Sequence, residues 1–275
     1  MAEDSLTNSK RRVNMAEKKK VVLVTGAGSG IGRATAKRLA ADGMAVGVAD
    51  IAFDGAKKVV EEIIADGGEA IAISVDITNE ESVDAMFKAV IDKYGYLDYM
   101  VANAGIIIND PFSMLTYDQW NKIESINVDG TTLCVQRAAN IMIKQGNGGK
   151  IGITLSQGGF AENNEVTVAY VITKWAGRGL VRSLADKLAP YGITVNAIAP
   201  GNIPTPMMDQ IISDYATSAG APAEMISQSM EKMAPLGRLQ PAEEMAALYS
   251  YMLSDAANSM TGFTIIDNGA GILGS

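Results

Sequence analysis

Short apolar runs punctuate the chain, and between them apolar positions recur with a helical period. The runs are Val21–Val24, Ala45–Ala49, Ala70–Ile73, Tyr99–Ala102, Ile151–Leu155, Ile193–Ala197 and Phe263–Ile266. Several are continuously apolar, as in strands covered on both faces. The stretches between them, among them Arg33–Ala41, Ala56–Ala65, Glu81–Lys93 and Ala169–Leu188, read as helices. Alternating strands and helices predict an α/β fold: a Rossmann-type, doubly wound parallel sheet of seven strands flanked by helices on both faces. No repeat or Pro/Ser-rich linker divides the pattern. Residues 20–275 are expected to form one domain, after a flexible tail at 1–19. Ligands of such sheets bind beyond the carboxyl ends of the strands.

The chain's distinctive residues fall at those ends. Thr25-Gly26-Ala27-Gly28-Ser29-Gly30-Ile31-Gly32 follows the first strand and opens the first helix. Gly26, Gly30 and Gly32 allow a tight turn and let backbone N–H groups approach a pyrophosphate at the helix N-terminus. Asp50 ends the second strand. A carboxylate there accepts hydrogen bonds from the adenosine ribose hydroxyls and repels a 2′-phosphate, which favours NAD over NADP; the competing role is a loop cap. Neutral Ser29 agrees with NAD. Arg33 points the other way unless it is a surface charge. Asp76-Ile77 is placed to meet the adenine edge, and the small residues of Asn103-Ala104-Gly105 let a cofactor lie close. Farther on, Tyr170 and Lys174 lie four apart on one helix face. An ammonium near a phenol favours the phenolate, whose ordinary pKa is about 10, so the pair reads as a general acid/base.

In this order and spacing, Thr25–Gly32, Asp76-Ile77, Asn103-Ala104-Gly105, Asn127, Ser156, Tyr170-x-x-x-Lys174 and Pro200-Gly201-Asn202-Ile203-Pro204-Thr205 resemble the short-chain dehydrogenase/reductase family, from about Lys20 to Gly269. The resemblance implies that Tyr170 exchanges a proton with the substrate oxygen, and that Lys174 lowers its pKa and bonds the nicotinamide ribose. Ser156 would orient the substrate oxygen, and Asn127 would hold a water in the proton relay from Lys174. The Pro200–Thr205 stretch would meet the nicotinamide amide through Ile203 and Thr205. Ser156 lies one residue farther from Tyr170 than in many relatives, so Gln157 competes for its place. Ser156 is preferred, with the extra residue in the Glu162–Val166 loop. Asp267-Asn268-Gly269-Ala270-Gly271 departs from the family's Asp-Gly-Gly, and Ala102 stands where an Asn is commoner.

Composition narrows the chemistry. The 275 residues carry a net charge of −8, which disfavours nucleic acid. No apolar run reaches the roughly 18 residues a membrane span needs. The polar N-terminus, with Lys10-Arg11-Arg12 and Met15 as a candidate start, does not read as a secretory signal. There is no histidine and one cysteine, Cys134. His-based catalysis, most zinc sites and an intrachain disulfide are therefore excluded, no metal is expected, and a cytoplasmic compartment is the default.

The resulting expectation is an NAD-dependent oxidoreductase interconverting a secondary alcohol and a ketone. Ser156-Gln157-Gly158-Gly159 resembles the Ser-Gln-Ala-Gly of acetoin and butanediol dehydrogenases, and Gln157 is placed to bond a second oxygen. That leans toward a small diol, hydroxyketone or polyol. The alternatives are an alicyclic or steroid alcohol dehydrogenase, an NADPH-dependent 3-ketoacyl-thioester reductase, and a non-catalytic NAD-binding sensor. A substrate lid is expected at about 204–238, with Met207, Met208, Met225, Met230 and Met233 as candidate apolar lining. The resemblance also suggests a homotetramer built on helices in Thr116–Gln145 and Ala169–Leu188, with Trp175 and Val181 at the interface or packed on the chain's own sheet.

Overall fold

The computed structural model describes residues 18–160, 167–233 and 235–270. The proposed tail, the Glu162–Val166 insertion, the Met233 side chain and Gly271 lie outside the described residues. The strands are β1 (Val21–Thr25), β2 (Ala45–Asp50), β3 (Glu69–Ser74), β4 (Tyr99–Ala102), β5 (Gly149–Thr154), β6 (Ile193–Pro200) and β7 (Thr264–Asp267). They form one parallel sheet in the order β3-β2-β1-β4-β5-β6-β7. The order reverses between β1 and β4, which opens the crevice where such sheets take their ligands.

Successive side chains of β1 face opposite ways, so an all-apolar strand feeds two cores. Val21 and Leu23 enter one core with α3 (Glu80–Tyr94), α5 (Thr131–Gln145) and α6 (Val168–Leu188). Val22 and Val24 enter the other with α1 (Gly30–Ala41), α2 (Phe53–Ala65) and α9 (Ala242–Leu253). Val181 is fully buried in the first core, which removes it from any subunit interface, whereas Trp175 is half-exposed. Two more helices, α7 (Pro206–Ala219) and α8 (Ala223–Met233), follow β6.

The Thr116–Gln145 stretch holds two helices. A capping box of Thr116 and Gln119 starts α4 (Tyr117–Glu124), and a π-helical turn at Ser125–Gly130 separates it from α5. The Asn127 amide sits in that turn. It accepts from Ile106 N–H at 2.9 Å, and donates to Ile106 C=O at 2.9 Å and Thr173 Oγ1 at 3.1 Å. The extra residue in the turn aims this side chain at the chain leaving β4. Such π-bulges gather at functional sites, and the helical periodicity around Asn127 does not reveal it.

The glycine-loop helix begins at Gly30, three residues before the sequence expectation, because extended Ser29 (φ −154°) caps it. A Cβ on Gly32 would lie 2.1 Å from the Gly26 carbonyl oxygen. Gly32→Ala is therefore expected to lower stability by about 2 kcal/mol or more, since a backbone clash outweighs the roughly 1 kcal/mol Ala gains in a helix. Gly179 of α6, with nothing within 4 Å of such a Cβ, is the control. Gly179→Ala is expected to raise stability by roughly 0.5–1 kcal/mol, and thermal unfolding of both variants checks the opposite signs.

Candidate active site

A cavity of about 900 Å³ opens at the carboxyl ends of the strands. It is lined by every sequence-predicted site residue except Gly32 and Asn127, which support it from behind. At one end, β2 delivers Asp50. Its carboxylate accepts from Gly28 N–H and from Ala52 N–H, each at 2.8 Å. Asp50 thus caps its loop, and two of its roughly four lone-pair positions remain for hydroxyl donors. Ile51, 72% exposed, follows it. Arg33 donates to Glu62 at 2.6 Å, and Lys37 meets the same carboxylate at 3.1 Å. Arg33 is thereby held by an ion pair on the α1–α2 surface. Asp76 Oδ1 accepts from the Thr78 backbone at 2.9 Å and its hydroxyl at 2.7 Å.

The glycine loop fits a dinucleotide. Gly26 and Gly30 adopt φ of +62° and +51°. A Cβ on Gly26 would lie 2.8 Å from Ala104 Cα, and one on Gly30 would lie 3.1 Å from the Thr205 methyl. Any side chain there would fill the cradle between β1, β4 and the Pro200–Thr205 loop. The Ser29 side chain makes no cap bond to α1, so the helix N-terminus presents its amides and this hydroxyl together. Thr205 caps α7 through Met208 N–H at 3.4 Å, and Ile203 is buried at 4% exposure.

Across the cavity, α6 carries Tyr170 and Lys174 one turn apart, and β5 ends two residues before Ser156. Ser156 hydrogen-bonds the Tyr170 phenol and accepts from Gly158 N–H at 3.1 Å. Gln157 turns away, its Nε2 at 3.5 Å from Asn202 Oδ1. The register therefore brings Ser156 to the phenol, and Gln157 to the loop after β6. Lys174 Nζ lies 5.3 Å from the Tyr170 ring centroid and donates to Thr154 C=O at 3.1 Å.

The electrostatics correct one expectation. The Tyr170 phenol is not lowered in this structure: burial raises its pKa, and the Ser156 hydrogen bond opposes that only in part. Burial acts on Lys174 as well, pulling it down to about 8. Burying both groups disfavours both charges.

The lining has a large apolar share, in which Ile106, Ile107, Ile126, Val171, Ile211 and Ile226 join Met207, Met208 and Met230, beside the polar Lys122, Thr167, Tyr215 and Ser229. Met225 instead faces outward, 59% exposed. The isoleucines were missed by sequence reasoning. Their signal was Ile106-Ile107-Ile108, an apolar run directly after Asn103-Ala104-Gly105. Among the described residues, no group of three or more His, Cys, Asp or Glu could hold a metal ion, and no helix is long and apolar enough to cross a membrane. Cys134 is buried, and burial pushes its thiol up to about 12.

A Rossmann-type sheet with a glycine cradle, a carboxylate at the end of β2 and a Ser-Tyr-Lys cluster matches a nicotinamide-dependent oxidoreductase site. The comparisons agree. Residues 26–270 match the family model described as enoyl-(acyl carrier protein) reductase. The chain is 39% identical over 253 residues to a short-chain dehydrogenase/reductase of Armillaria gallica, covering 91% of this chain and 95% of that one. Levodione reductase superposes with a TM-score of 0.87 at 31% identity, covering 92% and 97%. A 3-ketoacyl-(acyl-carrier-protein) reductase from Brucella melitensis, complexed with NADH, superposes with a TM-score of 0.81 at 28% identity, covering 92% and 98%. The chain belongs to the short-chain dehydrogenase/reductase family, and a nicotinamide dinucleotide is its cofactor.

The buried ammonium gives a stability test with a definite sign. Lys174 titrates at about 8 in the folded chain against a reference of 10.5. Between those values the unfolded chain binds more protons, so this group makes stability rise with pH, and its full penalty applies below 8. Tyr170, shifted upward, acts oppositely above about pH 10, so the reading belongs below that. Lys174→Met is expected to unfold at higher temperature than the parent at pH 7, by up to about 3 kcal/mol. The difference should shrink from pH 8 to 10, and a pH-independent difference would contradict the assignment.

Proposed function

We propose that this chain is an NAD-dependent oxidoreductase that interconverts a secondary alcohol and a ketone. One observation carries the reading: the Tyr170 phenol, bonded to Ser156 and one turn from the Lys174 ammonium, at the inner wall of the cavity. In the reducing direction Ser156 and Tyr170 donate hydrogen bonds to the carbonyl oxygen and stabilise the charge that develops there. Tyr170 gives its proton to that oxygen, and the nearby ammonium favours the phenolate left behind. Asn127 holds the chain after β4 in place, and its π-helical turn is the candidate anchor for the water that reprotonates Lys174. When bound, nicotinamide supplies or accepts the hydride. NAD is favoured over NADP because Asp50 faces the ribose end, Ile51 follows it, and Glu62 ion-pairs Arg33.

The substrate end shifts the preference within the class. Isoleucine and methionine make up much of the cavity lining, with Lys122, Thr167, Tyr215 and Ser229 among its polar groups, so few of a polyol's hydroxyls would find partners there. A compact apolar or alicyclic alcohol or ketone fits better than the small polyol suggested by Ser156-Gln157. The Gln157–Asn202 pair provides for one further oxygen. The likeness to a 3-ketoacyl-(acyl-carrier-protein) reductase supports a second reading as a thioester reductase. Residues 204–238, including α7 and α8, serve as the lid. It is tied to the site by Asn109 Nδ2 on Asp214 at 3.0 Å and Asn202 Nδ2 on Met230 C=O at 3.4 Å. A homotetramer pairing the exposed face of α6 around Ile172 and Trp175 completes the proposal.

A panel of cyclic and acyclic diketones, hydroxyketones, polyols and an acetoacetyl thioester, each with NADH and NADPH, tests the whole reading. NADH-dependent reduction of cyclic ketones is expected, whereas turnover of the thioester with NADPH alone would replace it with the second reading. Tyr170→Phe is expected to lose about 10²–10⁴ of turnover while NADH fluorescence still reports binding. Near-normal turnover in that variant would remove the proton-donor assignment. Ile51→Arg combined with Asp50→Ala should move the cofactor preference toward NADPH, because a cation then replaces an anion at the ribose.

A further inference from the structure

A hydrogen-bonded chain that starts at a buried phenol runs beneath the active site. Tyr249 of α9 is fully buried. Its ring packs so closely on β5 that a Cβ on Gly152 would lie 2.6 Å from it. Tyr249 OH and Thr154 Oγ1 are 2.7 Å apart, and Thr154 Oγ1 donates to Asn103 Oδ1 at 2.9 Å. Thr154 has one hydroxyl proton and Asn103 receives it, so Tyr249 is the donor in the first bond. Asn103 passes the order on, its Nδ2 donating to the Thr25 and Gly26 carbonyls, each at 3.1 Å. Thr154 faces the other way through its main chain, where its carbonyl accepts from Lys174 Nζ at 3.1 Å. One residue at the end of β5 thus holds the proton-transfer lysine with its backbone and the glycine loop with its side chain.

We infer that Tyr249 is a positioning residue for the active site: from the far face of the sheet its hydroxyl fixes Thr154, and Thr154 sets the places of Lys174 and of Asn103 with the glycine loop. The inference rests on the reading of Tyr170 and Lys174 as the proton-transfer pair. The packing around Tyr249 supports it. Helix α9 lies against α1, where Arg38 donates to Ser250 Oγ at 3.1 Å and Ser250 donates to Asp42 at 2.6 Å. The helix that seats Tyr249 is therefore registered on the helix that follows the glycine loop. Burial raises the Tyr249 phenol, the Thr154 bond opposing it only in part, so Tyr249 stays protonated and keeps donating. An aromatic ring needs a glycine beneath it on β5, and Gly152 supplies that space.

Tyr249→Phe keeps the ring over Gly152 and removes only the hydroxyl. The first readout needs neither cofactor nor substrate. Carbon-13 NMR titration of the lysine Cε groups, with a Lys174→Met spectrum subtracted, follows Lys174. Among the described residues, the ionisable side chains lining its cavity are Asp50, Asp76, Lys122, Tyr170, Lys174 and Tyr215, and Tyr170 lies one helical turn from Lys174. With Thr154 C=O no longer fixed to accept from the ammonium, Lys174 is expected to titrate at lower pH in Tyr249→Phe, and turnover on the best ketone of the panel should fall about tenfold. Adding Tyr249→Phe to Thr154→Val should cost nothing further, because the second change already removes the bond. Met252→Leu, a buried change on the same helix, should leave the Lys174 titration where it is even if it lowers the unfolding temperature. An unmoved Lys174 titration with unchanged turnover in Tyr249→Phe would overturn the inference, as would fully additive losses in the double variant. Full activity in Tyr170→Phe would instead overturn the underlying reading of the proton donor, so the two failures are distinguishable.

Discussion

The approach of β1 to β4 at their carboxyl ends constrains everything built above them. Gly26 lies so close to Ala104 that no side chain fits between them, and Asn103 stitches the gap by donating to two carbonyls of the glycine loop. The crevice of a doubly wound sheet opens where its strand order reverses, and here that reversal falls between these two strands. The turn, the small residues and the asparagine are therefore one solution to one problem: backbone must come close to backbone while leaving room for a dinucleotide. Placed at the end of β4, Asn103 also reaches β5 through Thr154, which ties the cofactor side to the catalytic side.

The catalytic side works against solvation. Lys174 is buried at 7% exposure and Tyr170 is partly buried, so both lose the stabilisation water gives their charged forms. Among the described residues, the hydrogen-bond acceptor for that ammonium is a strand-end carbonyl, Thr154 C=O. Such a site trades stability for function in a recognisable way: the cost falls on the folded protein, and the benefit appears when charge moves during proton transfer. Asn127 shows a related economy. Its π-helical turn interrupts regular helix hydrogen bonding, and its amide repays this by bonding both polar groups of Ile106.

Much of the fold was legible because short apolar runs alternating with helical periods fit strands covered on both faces, and all seven runs became strands. Boundaries moved by a residue or more where end geometry decided: β6 runs on to Pro200, and α1 starts at Gly30. The glycine loop, Asp50, Asn103, Ser156, Tyr170 and Lys174 were visible as residue types at fixed spacing. The choice between Ser156 and Gln157 was not visible. Spacing admits either, and only the strand register sends one to the phenol and the other to Asn202. Val181 and Trp175 looked alike along the helix, and only packing buried one and exposed the other.

What the sequence determined by itself was the set of local chemistries: turns that need glycine, strands that need two covers, and a phenol and an amine one helical turn apart. These depend on neighbours within a few residues, so they survive without knowledge of the rest. The tertiary structure alone decided what depends on distant segments meeting. It placed isoleucines from four separate segments around one pocket, tied Arg33 to Glu62, and raised rather than lowered the Tyr170 phenol through burial. It also brought Tyr249 of α9 beneath Thr154, 95 positions earlier in the chain. Burial and long-range contact are properties of the folded whole, and no local spacing encodes them.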